Sequence, residues 1–427
     1  MNVLLVEINP FAPVSTPISL GYLAAYLMAH GFSVEILALG QNSSLSRSGL
    51  KTLISTFRPG LLGFSVHQRT IPYVLGLADF VKSLNPEIKI AIGGPQATFM
   101  PSAALSQMPS VDYICRSSGE ETILAVARAI DHGAPFSDLA GVSYQDTDGN
   151  IFDTPAIEGS PDLDKYPSPY LHDVFDYSQM REAIMLTSRG CTHGCIFCYT
   201  PRAFNRKITL HSVDRVIEEI RWIGKKGIRR LWFADPSISY QGERLEALLE
   251  RMLSEGLESE IWLQTRVDLV NPAMMKLMQR VGVSTIAFGL ESASEKVRSR
   301  LRKKISISKV REAIRMAQSH GIEVELFTMF GLPYESFDDA LDTLDFVKEN
   351  RVKIMGNTNS QQMQIYFGTL IERHYQDYDI RPLHSHRPAY LSVGTQYETD
   401  HMTHEEIRRI QNIWSSQSQD GGKRVVS

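Results

Sequence analysis

Cysteine is scarce in this chain, occurring four times in 427 residues, and three of the four fall within Cys191 to Cys198. Only Cys115 stands apart, as a strand residue rather than a fourth ligand. Such clustering argues against a disulfide scaffold and for a reducing compartment. Neither sign of charge is in excess, because 44 Lys and Arg against 48 Asp and Glu leave a net −4. That balance gives no reason to expect nucleic acid or an anionic membrane as the main partner. The basic stretches that do occur, Lys225-Lys226, Arg229-Arg230 and Arg298 to Lys304, are mixed with acids and read as solvated helix faces. Long apolar runs are missing too. The most apolar window, Ile18 to Phe32, is too short and interrupted to span a bilayer. Met1 leads straight into a strand-like run, without the charged and apolar stretches of a secretory signal. These absences predict a cytoplasmic protein with no membrane insertion. Its 43% hydrophobic and 22% charged residues suit an ordinary globular chain, long enough for two domains with a core each.

What stands in place of disulfides is Arg189-Gly190-Cys191-Thr192-His193-Gly194-Cys195-Ile196-Phe197-Cys198-Tyr199, a C-x3-C-x2-C spacing. Three thiolates can hold three irons of a cubane [4Fe–4S] cluster, where an all-protein site uses four. An iron left open is useful only if something else must bind it. The alternative is a structural zinc site completed by His193 or a distant ligand. Zinc sites usually pair two Cys-x2-4-Cys units, and this sequence has no second pair.

Strands and helices alternate from the N-terminus. Strands are predicted at Asn2–Ile8, Ser33–Leu39, Leu61–Val66, Ile88–Ile92 and Val111–Cys115. Helical stretches separate and follow them at Ile18–His30, Ser48–Phe57, Pro72–Leu84, Pro101–Gln107 and Glu120–Asp131. This pattern predicts an α/β fold whose first part is a doubly wound, Rossmann-like parallel sheet. Ligands of such sheets sit at the carboxyl ends of the strands. Those ends carry Ser65 to Arg69, Gly93-Gly94-Pro95-Gln96-Ala97-Thr98 and Ser117-Ser118-Gly119-Glu120-Glu121. Adjacent glycines let the backbone approach a large flat ligand closely, although a tight βα turn alone can ask for them. A hairpin turns over Asp146 to Asn150, and the proline-rich Pro155 to Pro169 reads as a linker. Strands at Ala183–Thr187, Leu231–Ala234, Glu260–Thr265, Thr285–Gly289, Val324–Phe330 and Gln362–Tyr366 then alternate with helices. They make six βα-like units, fewer than the eight of a full barrel. The expected division is 1–140, a hairpin and linker at 141–178, a partial (β/α)6 barrel at 179–370, and a helical extension with tail at 371–427.

The cysteine spacing, with Phe197 before the last thiol and Tyr199 after it, resembles the signature of the radical S-adenosylmethionine (SAM) enzymes. The first third is similar to the cobalamin-binding domain fused to a large subfamily of them. That similarity is carried by Pro17 to Ala24, Gly63 to Val66, Ile92 to Thr98 and Gly119 to Thr122. The resemblance implies a [4Fe–4S] cluster on Cys191, Cys195 and Cys198, with SAM chelating the open iron and one electron cleaving it to a 5′-deoxyadenosyl radical. It implies SAM contacts from Phe197, Tyr199, Asp235, Gln264, Arg266, Glu291, Ser292, Gly331 and Leu332. Asp235 heads Asp-Pro-Ser where relatives often have Asp-Asp-Asn-Phe, and Tyr334 stands where a glycine is usual. For Arg266 the plainer alternative is a surface pair with Asp268. For cobalamin it implies Ser15, Thr16, Leu20, Ser65, His67, Gln68, Arg69, Gly93, Gly94, Pro95, Gln96, Ser118, Gly119 and Glu120. The Asp-x-His-x-x-Gly run with which other cobalamin proteins donate a histidine to cobalt is missing. His67 is then the candidate on the loop expected nearest the lower face.

The activity so implied is methylation of an unactivated carbon, or phosphorus, of a small-molecule metabolite, with flavodoxin or ferredoxin as external electron donor. Two alternatives stay open. One keeps cobalamin but cyclises, rearranges or oxidises without methyl transfer; the other is a non-catalytic cobalamin or iron–sulfur sensor. Beyond Leu370 the resemblance thins. His374, His384, His386, His401 and His404 fit no ligand set, Glu405 to Trp414 reads as a helix packed on the barrel, and Gln417 to Ser427 as a tail.

Overall fold

The computed structural model describes residues 1–418 except 42, 44, 134–138, 147, 158, 357–360 and 384–387. Thr147 of the hairpin turn, His384, His386 and most of the expected tail therefore lie outside the described residues. The first sheet contains β1 (Asn2–Asn9), β2 (Ser33–Gly40), β3 (Leu61–Ser65), β4 (Lys89–Gly93) and β5 (Tyr113–Cys115). They run parallel in the order β2-β1-β3-β4-β5. Central parallel strands are buried on both faces and read as continuous apolar runs, as Val3-Leu4-Leu5-Val6 does. Alternate residues feed two cores: Val3 and Leu5 pack with helices Ile18–Ala29 and Gly119–His132, Leu4 and Val6 with Arg47–Phe57 and Ile71–Leu84. The strand order reverses between β1 and β3, opening a crevice at their carboxyl ends. The hairpin, β6 (Val142–Gln145) with β7 (Ile151–Asp153), adds antiparallel to β5. It is continuous with the first sheet rather than with the linker.

The second sheet begins with β8 (Ala183–Met185). A short antiparallel pair, β9 (Ser188–Gly190) and β10 (Ile208–Leu210), brackets the cysteine motif. Next come β11 (Arg230–Phe233), β12 (Glu260–Thr265), β13 (Val283–Glu291), β14 (Glu323–Thr328) and β15 (Lys353–Ile354). The order β8-β11-β12-β13-β14-β15 is parallel throughout, an open six-stranded partial barrel. The strand expected at Gln362–Tyr366 is absent, and the sixth strand is the two-residue β15. Gln362 makes only an isolated bridge to Phe330. The end of this stretch is bound instead by the first domain, Gln68 donating to Ile365 O at 3.1 Å and accepting from Phe367 N–H at 3.0 Å.

One apolar core runs through both domains, from Leu5 and Tyr22 to Ile217 and Leu231. The last helix, His404–Ser418, packs on the barrel through Trp414, whose ring lies 5.1 Å from Phe330. No helix among the described residues is long and apolar enough to cross a membrane. The stretch Arg298 to Lys304 is not a wholly solvated face. Arg298 is 1% exposed and donates to Ser292 O at 2.8 Å and Ala293 O at 2.6 Å. Lys303 is buried as well. The short helix Glu295–Arg300 tucks under the end of β13, so its Arg298 holds the β13 loop, while Lys296 and Arg300 stay exposed.

Candidate functional site

The cysteine loop is held from several sides. Gly190, φ +95°, turns the chain out of β9; a Cβ there would lie 2.1 Å from Lys207 O, so only glycine fits beside β10. Behind the entry, Asp235 is fully buried, and its Oδ1 accepts from Thr187 N and Thr187 Oγ1, each at 3.0 Å, and from Ser188 Oγ. Burial pushes this carboxyl up, against those bonds. At the loop's centre Ile196 is fully buried, donates its N–H to Leu301 O and accepts from Ile371 N–H, both at 3.3 Å. Around that anchor, Cys191, Cys195 and Cys198 are free, partly buried thiols.

Burial pushes all three thiols up, while Lys303 draws them down. Partly buried thiols whose ionisation is disfavoured become thiolates when bound iron supplies the compensating charge. Among the described residues no three His, Cys, Asp or Glu side chains are gathered on a single metal ion. Three partly buried thiols on one loop are the donor set that three irons of a cubane cluster take.

Lys303 Nζ donates to Glu291 Oε1 at 2.7 Å, both side chains being buried. Glu291 sits at φ +68°, unusual for a residue with a side chain. Arg266 makes the bidentate pair with Asp268, at 2.8 and 2.9 Å, yet its own side chain is largely buried. Gln264 donates to Asp235 O at 2.7 Å. Two expected SAM contacts point elsewhere. Ser292 is fully buried with its Oγ 3.3 Å from Thr343 Oγ1, beneath the helix Phe337–Glu349, and Asp235 Oδ1 is engaged with the loop entry as above. Leu332 is also buried, in the C-terminal core, and Gly331 O accepts from Tyr397 OH at 2.8 Å. Phe197 packs partly buried on that same core.

A cavity of about 610 Å³ opens at the carboxyl ends of the first sheet and reaches the cysteine loop. Of the expected cobalamin residues, Leu20, Ser65, Gly93, Gly94, Pro95, Ser118, Gly119 and Glu120 line it; Ser15, Thr16, His67, Gln68, Arg69 and Gln96 do not. Gln68 and Gln96 are spent on joining the domains, Gln96 donating to Tyr390 O at 3.0 Å. His67 is exposed, and Arg69 stacks over Phe11 at 4.2 Å. Gly94, at φ +97°, keeps its backbone close to Val66, where a Cβ would come within 3.2 Å of N and O. A bare backbone shelf over an apolar cleft fits a broad, flat ligand of cobalamin's kind.

Sequence reasoning missed part of this wall. Tyr22, Tyr166 and Arg189 line the cavity together, Arg189 lying over both rings at 5.1 and 5.3 Å and donating to Glu120 Oε1 at 2.5 Å. The linker contributes Gly159, Ser160 and Leu163, and so closes the cavity as well as joining domains. Tyr199 also lines it, one residue from Cys198, which brings the cysteine loop to the cavity wall. Cys115 is a buried wall residue whose thiol burial pushes up to about 12. His374 and His401 lie 3.7 and 3.8 Å from Asp377 and Asp379 respectively, in no metal set among the described residues.

Comparisons with known proteins agree with this layout. Residues 185–347 match the Radical SAM superfamily and residues 7–127 the B12 binding domain. An uncharacterized methyltransferase of Pyrococcus horikoshii is 27% identical over 338 residues, covering 78% of this chain and 73% of that protein. An anaerobic magnesium-protoporphyrin IX monomethyl ester cyclase of Rubrivivax gelatinosus is 26% identical over 344 residues, 78% of this chain but 62% of its own length. Among solved structures, the radical SAM methyltransferase TsrM of Kitasatospora setae, with cobalamin and a [4Fe–4S] cluster bound, superposes with a TM-score of 0.74. That match covers 91% of this chain and 78% of TsrM at 18% identity, and it speaks for the fold.

Proposed function

We propose that this chain, a cobalamin-binding radical SAM enzyme, methylates an unactivated carbon, or phosphorus, of a small-molecule metabolite. The carrying observation is the single cavity whose wall runs from the glycine shelf of the first sheet to Tyr199 beside the cysteine loop. When bound, the cluster with SAM supplies a hydrogen-abstracting radical, and cobalamin supplies a transferable methyl group. The protein's own part is placement. Cys191, Cys195 and Cys198 would hold the cluster, with Lys303 and Arg266 offsetting thiolate charge. The Glu291–Lys303 pair offers a cation and a carboxylate to the amino-acid end of SAM. Gly93, Gly94, Ser65 and Ser118 would cradle the corrin, while the linker at Gly159 to Leu163 and the Tyr22, Tyr166 and Arg189 wall exclude water.

The likeness to a cyclase supports a second reading, ring formation without methyl transfer. Mass spectrometry of SAM carrying a labelled methyl group separates the two. The protein, reconstituted with iron, sulfide and cobalamin, is supplied with reductant and a metabolite pool. Methylation yields 5′-deoxyadenosine together with S-adenosylhomocysteine, and label in a product. 5′-Deoxyadenosine alone would overturn it in favour of the second reading. Cys195→Ala is expected to abolish both SAM products while leaving cobalamin bound.

A further inference from the structure

Arg189 is the middle residue of β9, separated from Cys191 by Gly190 alone. Its backbone belongs to the frame of the cysteine loop, where it pairs with Thr209 of β10. Its side chain is held by the other domain and the linker. The guanidinium donates to Glu120 Oε1 at 2.5 Å and lies over the rings of Tyr22 and Tyr166, at 5.1 and 5.3 Å. Glu120 stands in the first turn of the helix Gly119–His132, Tyr22 sits on the helix Ile18–Ala29, and Tyr166 comes from the linker. Tyr166 is itself fixed to the start of the first of these helices. Its hydroxyl donates to Glu121 Oε1 and lies beside Ser118 Oγ, each at 3.1 Å. The ion pair is largely buried, Glu120 being 4% exposed and Arg189 19%. Burial works against the Arg189 charge, and Glu120 more than restores it. All four side chains line the 610 Å³ cavity. One side chain of the cysteine-loop frame is therefore gripped by three elements of the cavity wall.

We propose that Arg189 is a positioning residue through which filling of this cavity and loading of the cysteine loop favour one another. The proposal rests on the reading of the cavity as the cobalamin site and of Cys191, Cys195 and Cys198 as holders of the cluster. Its physical basis is screening. Solvent admitted to the cavity weakens the attraction between Arg189 and Glu120, and a ligand that displaces solvent lowers the local dielectric and strengthens it. The desolvation that often cancels such a gain falls mostly on folding, because the pair is buried before any ligand arrives. A tighter pair fixes the Arg189 side chain, and with it the strand that delivers Cys191. Linkage makes the effect mutual: the factor by which cobalamin improves cluster binding is the factor by which the cluster improves cobalamin binding. Couplings between two sites typically amount to about 5- to 150-fold.

The test is a visible-spectrum titration of the full chain with hydroxocobalamin, before and after reconstitution with iron and sulfide. The parent should bind cobalamin at least about fivefold tighter once the cluster is loaded, and should retain more iron against a fixed chelator when cobalamin is present. Equal affinities in the two states overturn the coupling. The first variant carries R189Q and E120Q together, which removes both charges and leaves neither buried alone. It should bind both cofactors with an affinity ratio near one, and cobalamin should no longer alter the paramagnetic resonance spectrum of its reduced cluster. A residue that served packing alone would weaken both states equally and leave the ratio as in the parent; that result overturns the role of Arg189. The second variant, R189K, keeps the charge without the planar guanidinium, and carries the test if the first does not load. It should hold a ratio above one, and a complete loss there overturns the electrostatic basis. A parent that binds no cobalamin, or holds no cluster, would instead overturn the functional reading, and this inference with it.

Discussion

Glu335 is fully buried just beyond Gly331-Leu332, with Oε2 accepting Leu332 N–H at 3.0 Å and Oε1 lacking a partner. Burial pushes its carboxyl from 4.5 to about 8. A raised acid is protonated in the folded chain while the unfolded chain has ionised, so its contribution is full below about pH 4.5 and is lost as pH rises through about 8. The loss is on the order of a few kcal/mol. Glu335→Gln stays neutral and can still accept that N–H. Its melting temperature relative to the parent should therefore climb from pH 5 to pH 8.5, and an offset independent of pH would sink the assignment. At this scale the reading of sequence succeeds unevenly. Cysteine spacing is local and needs no fold to be seen. The burial of Arg298 and Lys303 was illegible, because a cation looks solvated until the segment carrying it is folded under a strand end. The paired duty of Arg266, on Asp268 and beside the thiols, needs the same knowledge.

The elements most easily read were the central strands, since burial on both faces leaves uninterrupted apolar runs such as Leu61 to Phe64. The hairpin β9–β10 escaped, being three residues a strand with no alternation to detect. It is nonetheless the frame of the cysteine loop. Gly190→Ala would force a side chain into positive φ and against Lys207 O. We expect a loss of at least about 1–2 kcal/mol from backbone handedness alone, and a chain that takes up less iron on reconstitution. Cobalamin binding to the first sheet should persist, measured by its visible spectrum. Full iron uptake with unchanged melting would show that the hairpin does not shape the loop.

Across the whole molecule, Gln68 and Gln96 tie the first domain to residues 365–367 and 390. Gln68→Ala removes a 4% exposed amide and leaves Ile365 O and Phe367 N–H unpaired. It should cost about 1–3 kcal/mol in thermal or urea unfolding and speed proteolysis near residue 366; a melt matching the parent would refute the tie. Sequence placed Gln68 on the right loop but assigned it to the ligand, because a glutamine's partners 297 and 299 residues away leave no trace nearby. Two α/β domains, parallel sheets, the three-cysteine motif and the glycine turn at a strand end were all determined by sequence, since periodicity, spacing and backbone freedom are local properties. Tertiary structure alone decided that the linker closes the cavity, that Arg189 meets Glu120 across the domains, and that the sixth barrel strand shrinks to Lys353–Ile354. Each of these depends on which distant groups compete for the same backbone bond, charge or apolar surface, and that competition exists only once the chain is folded.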